Sequence, residues 1–276
     1  MHQNRFPAEI AEAVLPICIC RRNKRYFPDG SCSDTVNIKA IIFDVDGTLA
    51  DTEDAHRIAF NKAFAENHLS WNWDVALYAK LLKVTGGKER IRYFVESFLP
   101  SFAKPADYDG FVKHLHLVKT GHYTTMLADG HIPLRPGIKQ LIDDARAGNI
   151  QLAIATTTSP ENIAALLEVG LGKDWQSYFS SVGCGDLVPH KKPAPDIYHW
   201  VLNDLGLAPG DCIALEDSNN GLRSSLAAGI KTYITINNYT RNQDLSGAAA
   251  VFDDLGDLEA FYRATGLPLT VTFAGR

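Results

Sequence analysis

Two aspartates, Asp44 and Asp46, follow a short apolar run at residues 38–43. A run of this length predicts a buried strand, and alternate side chains of an extended chain leave it on the same side. Two carboxylates held that close repel each other unless a cation or a shared proton compensates. Gly47 permits a sharp turn directly afterwards, and Thr48 adds a hydroxyl. Because an ordinary Asp-Gly turn uses the same residue types, the interpretation depends on the rest of the chain.

Hydroxyl groups follow the second predicted strand, at residues 150–155. The hydroxyl-bearing residues are Thr156, Thr157, Thr158 and Ser159. Pro160 then suits the first turn of a helix. Hydroxyls at the carboxyl end of a strand, beside the free amides of a helix N-terminus, are typical of a phosphate site. A simple helix cap would need only one of them.

A lysine and a second acidic pair complete the set of residues that could do chemistry. Lys192, held directly before Pro193, could neutralise both a phosphoryl oxygen and a crowded aspartate pair, although many such lysines lie in solvated turns. Glu216 and Asp217 follow a predicted strand at residues 212–215. Ligand sites in parallel sheets lie beyond the carboxyl ends of the strands, so we expect all these groups to converge. Such oxygen ligands suit Mg²⁺, and manganese would fit them too.

Strands and helices alternate from residue 135 onward. The predicted strands of this part span residues 150–155, 180–183, 212–215, 232–236 and 250–252. Repeated strand and helix units predict a parallel sheet with right-handed crossovers. The expected fold is therefore α/β, with a Rossmann-like parallel core and helices on both faces.

The segment between the first two strands has a different pattern. From residue 54 its apolar residues recur at helical spacing, and no convincing strand pattern follows before residue 134. We therefore expect a small helical cap inserted into the core. The predicted division is an extension at 1–37, expected to be disordered, a core at 38–54 and 135–260, a cap at 55–134 and a C-terminal tail at 261–276.

Composition excludes several kinds of partner. The net charge of -5 offers no basic stripe, so we expect no nucleic-acid partner. In the extension, Glu9 and Glu12 interrupt the apolar part and the basic cluster follows it, so neither a secretory signal nor a membrane anchor is expected. Five scattered cysteines, an odd number, favour a reducing cytoplasm over a disulfide scaffold. We expect a cytoplasmic protein that is a monomer.

Four motifs occur in order along the chain and resemble those of the haloacid dehalogenase superfamily of phosphatases and phosphomutases. They are Asp44-x-Asp46-Gly47-Thr48, Thr156, Lys192-Pro193 and Glu216-Asp217. The resemblance covers residues 38–252 and extends to a four-helix cap of the C1 type after the first motif. Residues 85–91, 155–159, 191–198 and 239–241 look most like CbbY proteins. The resemblance implies a Mg²⁺-dependent phosphatase of the Calvin cycle acting on a small sugar phosphate, xylulose 1,5-bisphosphate.

The resemblance also implies a role for each motif. Asp44 would attack phosphorus and form an aspartyl phosphate, while Asp46 would act as general acid and then as general base. Thr156 and Lys192 would hold the phosphoryl oxygens and spread the transition-state charge. The implied Mg²⁺ ligands are Asp44, Asp46 through its backbone carbonyl, Asp217, and Glu216 directly or through water.

A bisphosphate carries a second phosphate, which needs contacts of its own. The candidates are Glu53, His56, Gly86, Gly87, Lys88 and Arg90 on the cap and its hinge, with Thr157, Thr158 and Ser159 from the core. Paired glycines at a helix start free backbone amides for an anion, although a plain turn would use them too. His56 could instead be a packed helix histidine, and Arg135 could reach a phosphate or lie on the surface.

Two alternatives to the phosphatase stay open at this point. A phosphomutase would use the same aspartates but return the phosphoryl group to the sugar, and His56 lies where the β-phosphoglucomutase relatives carry a functional histidine. Thr48-Leu49 and the Gly-Gly-Lys stretch favour the phosphatase. A non-catalytic protein that binds a sugar phosphate is the other alternative, but binding alone would not need a nucleophile beside an acid.

Overall fold

Two short segments near the N-terminus belong to a separate unit of the chain. The computed structural model describes residues 24–26, 32–34, 38–130 and 132–267. Strands β1 (Lys24–Tyr26) and β2 (Cys32–Asp34) pair antiparallel. They lie in the predicted extension at 1–37, where no regular structure was expected. The rest of that prediction falls outside the described residues.

A six-stranded parallel sheet organises the larger unit. Its strands are β3 (Ala40–Phe43), β4 (Gln151–Ala155), β5 (Ser181–Gly183), β6 (Cys212–Glu216), β7 (Lys231–Thr235) and β8 (Ala250–Phe252). Their spatial order is β5-β4-β3-β6-β7-β8, so β3 lies between β4 and β6. All residues of β3 are buried, which explains its uninterrupted apolar sequence. The predicted α/β fold with a parallel Rossmann-like core is confirmed.

Four helices form the insertion between β3 and β4. They are α1 (Glu53–Glu66), α2 (Val75–Leu81), α3 (Gly87–Phe98) and α4 (Tyr108–Ala128). No strand occurs among the described residues of this insertion. Its core is aromatic, with Phe60, Trp73 and Tyr78 almost completely buried. Asp74 and Asp107 are the N-caps of α2 and α4, because their carboxylates accept hydrogen bonds from backbone N–H groups of the first turn.

Five further helices cover both faces of the sheet. They are α5 (Ile138–Ala147), α6 (Pro160–Leu171), α7 (Asp196–Leu205), α8 (Asn219–Ala227) and α9 (Leu258–Thr265). Alternate residues of β3 point to opposite faces. Ile41 therefore packs in a cluster that contains Leu141 of α5 and Phe261 of α9. Ile42 packs in a second cluster, with Tyr198 of α7. Among the described residues, no helix combines the length and the apolar content that crossing a membrane requires.

The C-terminal tail expected at 261–276 begins later than predicted. Helix α9 extends to Thr265, and Phe261 is fully buried in the core. Leu258, Phe261 and Thr265 recur at helical spacing, so the signal for this helix was present in the sequence. Residues 268–276 of the predicted tail fall outside the described part of the chain.

Helix α5 begins at Ile138, two residues after Pro136. Gly137 precedes it with a φ of 78°, a left-handed conformation that favours glycine. A Cβ atom at this position would lie 1.9 Å from the backbone oxygen of Leu255. The linker that leaves the cap therefore packs closely against the chain that follows β8.

Candidate active site

A cavity of about 1290 Å³ lies between the cap helices and the carboxyl ends of the central strands. Apart from Arg135, the candidate catalytic, metal-binding and substrate-binding residues named from the sequence all line it: Asp44, Asp46, Glu53, His56, Gly86, Gly87, Lys88, Arg90, Thr156, Thr157, Thr158, Ser159, Lys192, Glu216 and Asp217. The fold therefore brings the four core motifs and the cap residues to one place. Their roles depend on the contacts within that cavity.

Lys192 joins two carboxylates at the edge of the sheet. Its Nζ donates to Asp44 Oδ1 at 2.6 Å, to Glu216 Oε1 at 2.6 Å and to the backbone oxygen of Ala155 at 2.7 Å. Burial opposes the charge on this lysine, but attraction to Asp44 and Glu216 holds its pKa above the ordinary value. Burial raises the pKa of Asp44 to about 7, although Lys192 opposes the shift. The structure thus places Lys192, and not Lys191, against Asp44.

Asp44, Glu216 and Asp217 form a buried acidic cluster, because β3 and β6 are neighbours in the sheet. One carboxylate oxygen from each residue lies within 4.8 Å of the others. Burial and repulsion by the other two carboxylates raise the pKa of Asp217 well above its ordinary value. Glu216 Oε2 is buried without a hydrogen-bond partner among the described residues. Hard oxygen donors that repel one another, one of them unpartnered, fit a magnesium ion.

Asp46 does not belong to that cluster and has its own partners. Its Oδ1 accepts a hydrogen bond from Thr52 Oγ1 at 2.6 Å and lies 2.8 Å from His56 Nε2. Burial alone would raise the pKa of Asp46, but His56 and Thr52 hold it below its ordinary value. His56 is buried, as a packed helix histidine would be, yet its ring is bonded to the carboxylate predicted to be the general acid.

Lys119 of α4 lies behind His56, with its Nζ at 2.6 Å from His56 Nδ1. A charged ammonium group can only donate hydrogen bonds, so Nδ1 accepts and Nε2 carries the proton that faces Asp46. Burial and the charge of Lys119 lower the pKa of His56 to about 4, which keeps the ring neutral at neutral pH. Burial lowers the pKa of Lys119 itself to about 7.

The hydroxyl-rich loop after β4 is ordered by its own hydrogen bonds. The N–H of Thr158 donates to Thr156 Oγ1 at 3.3 Å, and Asn162 Nδ2 donates to Thr158 Oγ1 at 3.0 Å. Ser159 Oγ is buried and has no partner among the described residues. These side chains line the cavity together with Asp44, so hydroxyl donors are available for an anion at this point.

Glu53, Tyr78 and Arg90 form a chain of contacts on the cap side. Tyr78 Oη donates to Glu53 Oε2 at 3.0 Å, and Arg90 Nη1 donates to Tyr78 Oη at 2.9 Å. Burial raises the pKa of Glu53, although Arg90 opposes the shift. The tyrosine therefore holds two predicted substrate contacts at fixed positions relative to each other.

An ion-pair network joins cap and core at the cavity. Lys88 Nζ lies 2.6 Å from Asp186 Oδ2, and Lys191 Nζ lies 3.1 Å from Asp186 Oδ1. Lys191 also lies 3.5 Å from Glu89 Oε2 of the cap. The hydrogen bond from Lys88 lowers the pKa of Asp186 to about 2, so this carboxylate stays charged. An anion that enters the cavity can compete with Asp186 for both lysines.

Gly86 and Gly87 begin helix α3 beside His116 of α4. Gly86 has a φ of 94°, and a Cβ atom at Gly87 would lie 2.6 Å from the His116 ring. Glycine is needed for this approach, and the first N–H groups of a helix have no partner within the helix. Burial and nearby lysines, Lys119 first, lower the pKa of His116 to about 3.

Two cavity residues, His116 and Lys119, were not predicted from the sequence. They stand three positions apart and therefore lie on one face of α4, which is a detectable pattern. Nothing in the sequence connected that face with His56, which lies 63 positions away from Lys119. Asp186, in the loop after β5, was also missed, because nothing in the sequence connected it with Lys88 of the cap.

Arg135 does not fit either expectation made for it. It is half-buried rather than exposed, and it is not among the residues that line the cavity. Its guanidinium donates to backbone oxygens of Gly47, Thr235, Ile236 and Asp253. Because both Nη groups donate to oxygens of the core, neither is free for a phosphate, and the predicted phosphate contact was wrong.

The sequence and the fold place the chain in a known family. Residues 38–229 match the family described as haloacid dehalogenase-like hydrolase. The chain belongs to this family of hydrolases, which confirms the resemblance seen in the four motifs.

Within this family the chain is similar to CbbY proteins. It is 48% identical over 220 residues to the CbbY protein (plasmid) of Cupriavidus necator, covering 80% of this chain and 87% of that protein. A crystal structure of a CbbY variant from Rhodobacter sphaeroides in complex with xylulose-(1,5)bisphosphate matches with a TM-score of 0.76 at 42% identity, over 80% of this chain and 96% of that one. A β-phosphoglucomutase from Clostridium difficile, at 21% identity, shares the fold with a TM-score of 0.68, over 83% of this chain and 97% of that one.

Proposed function

We propose that this protein is a Mg²⁺-dependent phosphatase that hydrolyses a sugar bisphosphate, xylulose 1,5-bisphosphate, through an aspartyl phosphate. The observation that carries this proposal is the arrangement around Asp44. Lys192 holds its carboxylate at 2.6 Å, and Asp46 stands two positions further on with a separate set of partners. Two neighbouring carboxylates in different environments suit a nucleophile and a general acid.

In the first half of the reaction, Asp44 attacks phosphorus and the bond from phosphorus to the sugar oxygen breaks. Asp46 gives its proton to that departing oxygen, so a sugar monophosphate leaves as an alcohol. An anionic phosphoryl group raises the pKa of a carboxyl beside it, so Asp46 takes up its proton as the substrate binds. Lys192 and Thr156 hold the phosphoryl oxygens while the charge spreads over them.

In the second half, Asp46 removes a proton from water as the water oxygen attacks phosphorus. The bond to Asp44 breaks, and inorganic phosphate and the free carboxylate are regenerated. Asp44, Glu216, Asp217 and the backbone carbonyl of Asp46 would hold a magnesium ion, whose charge offsets the repulsion between the phosphoryl group and the aspartates. The unpartnered Glu216 Oε2 supports this assignment.

The preference for a bisphosphate is supported by the cationic cap side of the cavity. The cationic side chains of the cap that line it are Lys83, Lys88, Arg90 and Lys119. A second phosphate placed against Lys88 and Arg90, with Gly86 and Gly87 at the start of α3, would balance this charge. The CbbY relative crystallised with xylulose-(1,5)bisphosphate supports that substrate.

The setting of the reaction is a further part of the proposal. We place the substrate in the Calvin cycle and the protein in the cytoplasm as a monomer. We also keep the proposed cap at 55–134, which the helices α1 to α4 support, and the proposed core at 38–54 and from 135 onward. The C-terminal end of the core moves from 260 to the end of α9 at Thr265.

The proposal is tested by initial rates of phosphate release from a panel of sugar mono- and bisphosphates with Mg²⁺. We expect xylulose 1,5-bisphosphate to be hydrolysed far better than any monophosphate. Asp44→Asn is the blank and should release no phosphate, because it lacks the nucleophile. Isomerised sugar phosphate without phosphate release would favour a phosphomutase, which would use the same aspartates. Tight binding with no turnover would favour a binding protein.

A further inference from the structure

Arg135 stands where the chain returns from the cap to the core. Its backbone N–H donates to the oxygen of Leu49 at 2.8 Å, and the preceding Leu134 forms a β-bridge with Ala50. The chain segments that enter and leave the cap therefore lie side by side. Arg135 therefore lies between the cap and the turn that follows Asp44 and Asp46, so a movement of the cap would be transmitted to that turn through this residue.

The guanidinium of Arg135 connects three separate segments of the core. Nη1 donates to the oxygen of Gly47, and also to the backbone oxygen of Thr235 at 3.1 Å and its Oγ1 at 3.2 Å. Nη2 donates to the backbone oxygen of Ile236 at 2.6 Å and to that of Asp253 at 2.8 Å. The turn after β3, the end of β7 and the chain after β8 are thus held by one side chain.

The turn at Gly47, whose carbonyl accepts a hydrogen bond from Arg135, is closely packed and has little room to move. Gly47 directly follows Asp46 and has a φ of 83°, and its N–H donates to the backbone oxygen of Ala50 at 2.8 Å. A Cβ atom at Gly47 would lie 2.3 Å from Asp217 Oδ2. A shift of this turn would therefore move Asp46 relative to both the acidic cluster and His56.

We propose that Arg135 is a positioning residue for the general acid: its guanidinium fixes the carbonyl of Gly47 to β7 and so holds Asp46 in line with the departing oxygen. This inference rests on the proposed phosphatase function and adds a residue that touches neither substrate nor metal ligands. An arginine is required because its planar fork offers several N–H donors in fixed directions. A lysine at this position has fewer donors and no fixed plane.

The test compares substrates that differ in their need for a general acid. A sugar phosphate must leave as an alkoxide unless it is protonated, whereas p-nitrophenolate leaves from p-nitrophenyl phosphate without a proton. The ratio kcat/KM reports the steps up to departure of the leaving group. We expect Arg135→Met to lower kcat/KM for the sugar bisphosphate about tenfold more than for p-nitrophenyl phosphate. Arg135→Lys should show the same selectivity with a smaller loss.

Arg263→Met is the matched control, because Arg263 is exposed on α9 and pairs only with Glu259 of the same helix among the described residues. It should leave both substrates unaffected. Equal losses on both substrates in Arg135→Met would overturn the inference and indicate a general structural role. If circular dichroism shows that Arg135→Met does not fold, the same comparison of kcat/KM on the two substrates is made with Arg135→Lys. Wild-type protein that hydrolyses neither substrate would instead reject the phosphatase function, and this inference with it.

Discussion

Lys119 Nζ lies 2.6 Å from Nδ1 of His56, on the opposite side of the ring from Asp46. This contact links a helix of the cap with the carboxylate proposed as general acid. Because burial and the charge of Lys119 keep His56 neutral, the ring presents a neutral N–H donor to Asp46 and not a full positive charge. The proton affinity of Asp46 therefore depends on the position of the cap, which carries both His56 and Lys119.

Removing the charge of Lys119 should impair catalysis without weakening the fold. We expect Lys119→Met to lower kcat/KM for the sugar bisphosphate by about ten- to a hundredfold, because Nδ1 of His56 loses the donor that keeps the proton of the ring on Nε2, facing Asp46. The melting temperature should not fall, since an isosteric apolar side chain replaces a buried charge. Lys113→Met, an exposed position on α4, is the control and should retain full activity. Unchanged kinetics for Lys119→Met would contradict this account of the His56 contact.

Lys88 should matter for the second phosphate and not for the transferred one. We expect Lys88→Met to raise KM for the bisphosphate about tenfold, the equivalent of one charge-assisted hydrogen bond, with little change for a monophosphate. Steady-state kinetics on both substrates measure the difference. Lys62→Met, on the exposed side of α1, should change neither value. An equal rise in KM for both substrates would mean that Lys88 does not distinguish them.

Magnesium should stabilise the folded chain through the acidic cluster. At a hundredfold excess of ion over Kd, binding to the folded state alone adds about 2.7 kcal/mol to the free energy of unfolding. Asp217→Asn should lose the rise in melting temperature with Mg²⁺, whereas Asp204→Asn, on the exposed side of α7, should keep it. Without the ion, Asp217→Asn should be at least as stable as wild type, because it relieves repulsion with Asp44 and Glu216. A full Mg²⁺-dependent rise in Asp217→Asn would place the ion elsewhere.

His116 should make stability depend on pH. Its pKa is about 3 in the folded chain against an ordinary value of 6.5, so below pH 6.5 the unfolded chain binds a proton that the folded chain does not. Stability should therefore fall as the pH drops through this window, by at most about 2 kcal/mol between about pH 7.5 and pH 5 for this one group. His116→Gln should reduce the slope in urea unfolding curves. His56 titrates in the same sense, so part of the slope should persist. An unchanged slope would show that His116 is protonated in the folded chain.

The core half of the site could be predicted because its residues follow strands. Asp44, Thr156 and Glu216 each stand at the carboxyl end of a strand, and β3, β4 and β6 are neighbours in the sheet. Once a parallel sheet is inferred, the convergence of these residues follows from topology. No distances were needed for that step.

The cap half was only partly predictable, because helix packing decides which faces meet the core. Lys88 and Arg90 stood beside a glycine pair and were identified. Lys119 and His116 share one face of a long helix, but nothing in the sequence connected that face with the core. Arg135 was misjudged because its partners are backbone oxygens from distant segments. Carbonyl groups carry no sequence signature, so a carbonyl-binding arginine and a phosphate-binding arginine look the same in a sequence.

The most direct test of the proposed function is a ³¹P NMR time course of xylulose 1,5-bisphosphate with the protein and Mg²⁺. The account predicts that the bisphosphate signals decay while inorganic phosphate and one sugar monophosphate grow in equal amounts, and that Asp44→Asn leaves the spectrum unchanged. Appearance of a rearranged sugar phosphate without inorganic phosphate, or an unchanged spectrum with the wild-type protein, would contradict it.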